Sequence, residues 1–240
     1  MGVSYFLDLI GYSRHTLHYQ EKIISMIGSF LGIFAIFMSS YWLLDHETAV
    51  LIIPSMGASA VLLFAAPHSP FSQPWNVLGG HAFSAIIGVA CWQFIPDYII
   101  AASASVGLAT GVMYLTRCIH PPGGATALAA VIGSEKLHGL GYSYEFQPVL
   151  LNAATILLMA IVFNHFFKWR RYPAHLQPNI QENDALIIDE PGHVYASINH
   201  EDFVYALSHI DTYVDIDESD LLTIYNLATK GHKEITHPDS

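Results

Sequence analysis

The chain has 240 residues, of which 52% are hydrophobic and only 12% charged, with a net charge of −11 and a mean hydropathy of +0.39. No basic face is available to neutralise phosphates, so a nucleic-acid role is excluded, and the apolar excess argues against a water-soluble fold. The charge is unevenly spread: residues 1–178 carry seven acidic and seven basic side chains, whereas residues 179–240 carry thirteen acidic side chains against Lys230 and Lys233 alone. The pattern divides the chain into a neutral transmembrane domain, 1–178, and an acidic cytoplasmic C-terminal segment, 179–240.

Taken in chain order, Ile23–Leu44 is free of charge and meets the roughly 20-residue length needed to cross a bilayer. It has no small-residue cleavage site, so it reads as a span and not as a cleaved leader. Thr48–Ala66, Val77–Ile95 and Tyr98–Thr116 follow, then a shorter apolar stretch, Pro121–Ser134, and finally Val149–Phe167. Asp97 falls in an Ile95-Pro96-Asp97 turn between spans. Arg14 and Lys22 precede the first span, and Lys168, Arg170 and Arg171 follow the last, which places both termini in the cytoplasm and makes the number of crossings even. Six crossings put Arg117 inside and Lys136 outside. Four crossings with two re-entrant hairpins put Arg117 outside. We take six as the expectation, because a short helix at membrane depth works only when packed inside protein.

Two Pro/Gly segments occupy equivalent places in two similar halves. Pro54-Ser55-Met56-Gly57-Ala58-Ser59-Ala60 shares its Pro-x-x-Gly-Ala-[Ser/Thr]-Ala spacing with Pro121-Pro122-Gly123-Gly124-Ala125-Thr126-Ala127, 67 residues on. Each is followed by a loop with Gln-Pro, Gln73-Pro74 and Gln147-Pro148. With three crossings per half, the second half is inverted, an arrangement found in many secondary transporters. The expected fold is therefore all-α: a polytopic membrane protein of about six helices in two inverted three-helix repeats, with short Pro/Gly-started helices. Small residues also serve close helix packing in lipid, which by itself would produce such likeness.

A helix start leaves backbone N–H groups unpartnered and carries a partial positive charge, and Pro suits the first helical position. Glycine lets a ligand approach the backbone. Helix starts at Gly57–Ser59 and Gly123–Thr126, with hydroxyls from Ser55, Ser59 and Thr126, therefore suit a small anion. His120 is the candidate for proton coupling or for capping a carbonyl. Arg117 is either a topology anchor or a vestibule charge. His81 and Asn152, polar residues inside apolar spans, face the interior as pathway residues or as interhelix bonds. No nucleophile–base pair stands out, so an enzyme is not expected. Neither are a cofactor or a metal. Cys91 and Cys118 form no CxxC pair, and the histidines from His175 onward (His193, His200, His209, His232, His237) show no tight ligand pair.

At His120-Pro121-Pro122-Gly123-Gly124-Ala125-Thr126 the chain resembles the HPP family of integral membrane proteins, and the Pro54 block with Gln73-Pro74-Trp75-Asn76 resembles that family's second strong block. The likeness covers about residues 20–170. It implies a multi-span protein of the cell inner membrane and, because plastid and cyanobacterial members are associated with nitrite, a small inorganic anion as substrate. A homo-oligomer in the lipid bilayer is the expected assembly. The competing readings are an anion channel and a membrane sensor or scaffold whose acidic tail binds a partner. In that tail Ala185–Asp189 and His193–Ser197 read as a small hairpin, and Glu201–Ile210 and Glu218–Thr229 as amphipathic helices.

Overall fold

The computed structural model describes residues 19–43 and 46–176; the hairpin and helices expected in the acidic tail lie outside the described residues. Among those described there are seven α-helices and no strand: α1 Tyr19–Leu43, α2 His46–Ala65, α3 Pro74–Phe94, α4 Tyr98–Leu115, α5 Pro121–Ile132, α6 Glu135–Gly139 and α7 Leu151–His165. Short 3-10 turns at Pro70–Ser72, Lys168–Arg170 and Ala174–Leu176, and a π turn at Glu145–Leu150 leading into α7, complete the set. Four apolar helical stretches are long enough to cross a bilayer: Tyr19–Ser40, Pro74–Phe94, Tyr98–Leu115 and Glu145–His165. Pro54–Ala65 and Pro121–Ile132 are shorter apolar helices.

The local causes are visible in the caps. Asp97 accepts a 2.9 Å hydrogen bond from the Ile100 N–H and so starts α4 at the turn where its charge is cheapest. Pro74 opens α3 and Pro121-Pro122 open α5, positions where the absent N–H would have had no partner. The expected second Pro/Gly-started helix does not exist. Pro54 lies inside α2, which begins eight residues earlier at His46, so Ser55, Gly57 and Ser59 sit mid-helix and offer no helix start. A proline withholds only its own N–H from the helix, and lipid-embedded helices tolerate that where neighbours pack closely.

Packing is driven by small residues, since lipid removes the usual hydrophobic drive between helices. A Cβ on Gly28 or Gly32 of α1 would stand 2.5 or 2.6 Å from the Phe64 ring, which α1 therefore covers. Phe64 meets Phe163 of α7 edge-on at 5.7 Å, inside a core that includes Ile36, Met56, Leu63, Val149 and Ile156. The tightest seam joins α3 to α5. A Cβ on Gly88 would stand 2.5 Å from the Ala127 carbonyl oxygen, and one on Gly123 would stand 2.7 Å from the Gly80 oxygen.

Hydrogen bonds fix which helix ends are neighbours. Trp75 Nε1 at the start of α3 donates to the Thr116 carbonyl just after α4, and Asn76 Nδ2 donates to the Ile119 carbonyl. Asn164 near the end of α7 donates to the Leu63 carbonyl near the end of α2. Arg170, just beyond α7, pairs with Glu21 in the first turn of α1. The starts of α1, α3 and α5 thus share one end of the bundle with the finishes of α2, α4 and α7. At the opposite end His138 of α6 stacks on Trp92 of α3, with ring centroids 4.2 Å apart.

Candidate functional site

The site grows from the start of α5. His120 is extended (φ −138°, ψ 101°) and caps the helix without using its side chain. Of the four orphan N–H positions at this helix start, His120 to Gly123, Pro121 and Pro122 have no hydrogen to offer, and that of Gly123 bonds the His120 carbonyl at 2.8 Å. Two of the four orphan positions are prolines and a third is bonded, so this helix start is a poorer anion nest than Pro-Pro-Gly-Gly suggests. What the motif achieves instead is to turn the His120 imidazole inward. Gly80 of α3 makes this possible, because a Cβ there would come within 2.5 Å of the His120 Cβ.

Four side chains from three helices converge behind that turn. The Ser59 Oγ of α2 lies 2.9 Å from His81 Nε2 of α3 and 2.9 Å from His120 Nε2. His81 Nδ1 lies 2.8 Å from Thr126 Oγ1 of α5, and His120 Nδ1 lies 2.8 Å from the Phe71 carbonyl oxygen in the Pro70–Ser72 turn. The imidazoles meet edge-on with centroids 4.9 Å apart. All four residues are fully buried. Ser59 lies six residues before the end of α2, and His81 seven residues after the start of α3, which sets the cluster about 10 Å in from one end of the bundle. Polar groups at that depth are costly unless bonded, and each ring nitrogen here has a partner.

Of the residues expected at the site, Ser59, His81, His120 and Thr126 come together, and Gly123 abuts them through Gly80 and Ser84. Ser55 is buried one turn below, its carbonyl 3.2 Å from Ser59 Oγ. Gly57 faces open space, and Gly124 faces Val106 of α4 at 3.6 Å, so neither touches the cluster. Arg117 is exposed in the turn before α5 with a positive φ of 55° and is not among the residues that meet in the cluster. Asn152 accepts a 2.8 Å bond from Ser40 Oγ; it joins α7 to α1 and lines nothing with the others.

Sequence reasoning missed three features. Phe71 contributes only its carbonyl, which no side-chain pattern reveals. Ser84, whose buried Oγ has no partner, belongs to Gly80-x-x-x-Ser84-x-x-x-Gly88, a small-residue stripe that was legible by its spacing of four. Arg170 looked like a topology charge but is 2% exposed, donating to Asn164 Oδ1, Ser25, the Phe64 carbonyl and Glu21. Near it, Tyr172 donates to the Ser72 carbonyl, and burial raises the pKa of its phenol above the ordinary value.

The transmembrane region of the HPP family matches residues 14–173 and so contains every residue of this cluster. The chain belongs to the HPP family. It is also 39% identical over 153 residues to one transmembrane protein of Dictyostelium discoideum and 39% identical over 154 residues to another; each match covers 62% of this chain, and 49% and 53% of those proteins respectively. This HPP chain therefore spans about half the length of the curated relatives it matches. No solved structure matches it.

Proposed function

We propose that this HPP protein is a membrane transporter of a small inorganic anion, with nitrite favoured by the family resemblance. The observation that carries the reading is the Ser59–His81–His120–Thr126 cluster, a fully buried polar centre held among helices that are otherwise apolar. An anion oxygen beside the Ser59 hydroxyl would meet the Nε2–H of neutral His81, and that of His120 once this ring gains a proton. The unpartnered Ser84 hydroxyl lies on the adjacent seam. Between α2 and α5 an open groove is lined by Ala58, Val61, Leu62, Pro121, Pro122 and Ala125, which include sequence neighbours of Ser59, His120 and Thr126.

The alternating directions of α1, α2, α3, α4, α5 and α7 support six crossings as two inverted sets of three, with both ends of the domain on one side. The exposed apolar residues of α1 and α4, including Phe30, Phe34, Ile99 and Leu108, suit a bilayer or a second copy in a homo-oligomer. The arginines and lysine after α7 favour the cytoplasmic side of an inner membrane.

The test is flux into reconstituted vesicles, comparing nitrite, nitrate, formate and chloride with and without residues 180–240. Saturable nitrite uptake that survives loss of the tail and is abolished in His81→Leu supports the reading. A membrane anchor for an acidic partner-binding tail predicts no flux and a captured partner that depends on the tail. A channel predicts single-channel conductance and no dependence on a pH gradient.

A further inference from the structure

The hydrogens of the cluster can be placed by elimination. The Phe71 carbonyl oxygen only accepts, so His120 Nδ1, 2.8 Å away, carries a hydrogen. With His120 neutral, its Nε2 is bare and must accept from the Ser59 hydroxyl at 2.9 Å. Ser59 has then spent its only hydrogen, so His81 Nε2 must donate to Ser59 Oγ. His81 Nδ1 is left bare and accepts from Thr126 Oγ1 at 2.8 Å. Every bond points the same way, from Thr126 through His81 and Ser59 to His120 and on to Phe71. Each hydroxyl also has a second acceptor in reach, the Ser55 carbonyl at 3.2 Å from Ser59 Oγ and the Pro122 carbonyl at 3.5 Å from Thr126 Oγ1.

We propose that Thr126, His81, Ser59 and His120 are a proton relay that moves the charge of an entering proton from His81 to His120, its resting polarity set by the Phe71 carbonyl. A proton arriving at His81 Nδ1 forms an N–H bond there. The His81 Nε2–H hydrogen passes to Ser59 Oγ, and the Ser59 hydrogen passes to His120 Nε2. One proton has entered, and one positive charge rests on His120, which now bears hydrogens on both nitrogens. His81 is neutral again as the opposite tautomer, and Thr126 turns its hydroxyl to the Pro122 carbonyl. The starting state returns by the same transfers reversed: the Nε2 hydrogen of His120 passes to Ser59 Oγ, the Ser59 hydrogen passes to His81 Nε2, and the added proton leaves His81 Nδ1, to which Thr126 turns back. The relay deepens the transport reading and rests on it for the travelling anion, whose negative charge would balance the charge formed on His120.

The surroundings leave this relay to the two imidazoles. The titratable or charged groups on the elements packed around them are His68 in the turn before α3, Arg117 and Cys118 before α5, and Tyr144 and Glu145 before α7. None is bonded to a ring nitrogen, because all four ring nitrogens are taken by Ser59, Thr126 and Phe71. Tyr144 donates to the Thr126 backbone carbonyl at 3.1 Å and so holds α5 without joining the chain of transferable hydrogens.

The test is nitrogen-15 NMR of the full chain labelled at histidine in lipid nanodiscs, with the two signals assigned through His81→Gln and His120→Gln. At neutral pH the expected result is opposite tautomers, hydrogen on Nδ1 of His120 and on Nε2 of His81. On acidification His120 should gain a hydrogen on Nε2 while His81 changes tautomer in the same step. In Ser59→Ala the His81 change should disappear, and Ser59→Thr should restore it, which separates loss of the relay from misfolding. Identical tautomers at neutral pH, or a His81 change indifferent to Ser59→Ala, would overturn the relay. Nitrite counterflow in wild-type vesicles at equal pH is the separate arm. Expected tautomers without counterflow would reject transport and keep the relay, and counterflow with the wrong tautomers would reject the relay alone.

Discussion

Two buried polar centres lie near the same end of the bundle, and they are built on opposite principles. Around Arg170 the groups are charged and committed: the guanidinium binds Glu21, Asn164, Ser25 and the Phe64 carbonyl, tying α1, α2 and α7 together. Around Ser59 the groups are uncharged when at rest, and each hydroxyl has a choice of acceptors. A buried charge with four of its five hydrogens engaged is fixed in place, which suits a clamp. A chain of imidazoles and hydroxyls with two directions of bonding can change state at small cost in geometry, which suits a moving proton.

The largest test of that contrast is Arg170→Met, which leaves Glu21 with Trp169 Nε1 alone and takes the donor from the Phe64 carbonyl. A loss of about 3 kcal/mol is expected in equilibrium unfolding from detergent, as when one member of a buried ion pair is removed. A loss as small as that of a surface pair would erase the distinction between clamp and relay. Next come Gly88→Val and Gly123→Val, where the added atoms run into backbone oxygens of the facing helix. Each should cost about 1–3 kcal/mol by overpacking and should also disturb the His120 signal, because the α3–α5 seam holds that ring in place. The smallest effect is expected for Ser40→Ala with Asn152→Leu. This pair carries one bond and an unpartnered Asn152 Nδ2, so removing both should change stability by less than about 1 kcal/mol and leave both histidine tautomers as they were. A large effect there would make Asn152 a third working centre.

Much of the site was readable before any coordinates. Ser59 and Thr126 are legible as hydroxyls beside Pro/Gly motifs, His120 as a titratable neighbour of one of them and His81 as a polar residue inside an apolar span, and the three helices that carry them meet in one place. The reason assigned to them was different. The motif at Pro54 resembles that at Pro121 letter for letter at four positions, but one runs through the middle of a helix and the other begins one. Whether a proline starts a helix depends on what the preceding residues do, and the eight residues from His46 are already helical.

The sequence by itself determined the membrane class, the helical content and four of the buried polar residues, Ser59, His81, His120 and Thr126, because each follows from composition and motif along the chain. Only the tertiary structure decided their partners. Ser59 and His120 are 61 residues apart in sequence, and His120 and Phe71 are 49 apart. A backbone carbonyl leaves no mark in the residue alphabet, and it is this carbonyl that orients every hydrogen in the cluster. Arg170 makes the same point: its position after the last span was plain, but its burial depended on a glutamate 149 residues away. Hydrogen bonds act over about 3 Å in space, whatever the separation along the chain, and so the direction of the relay is a property of the packed bundle.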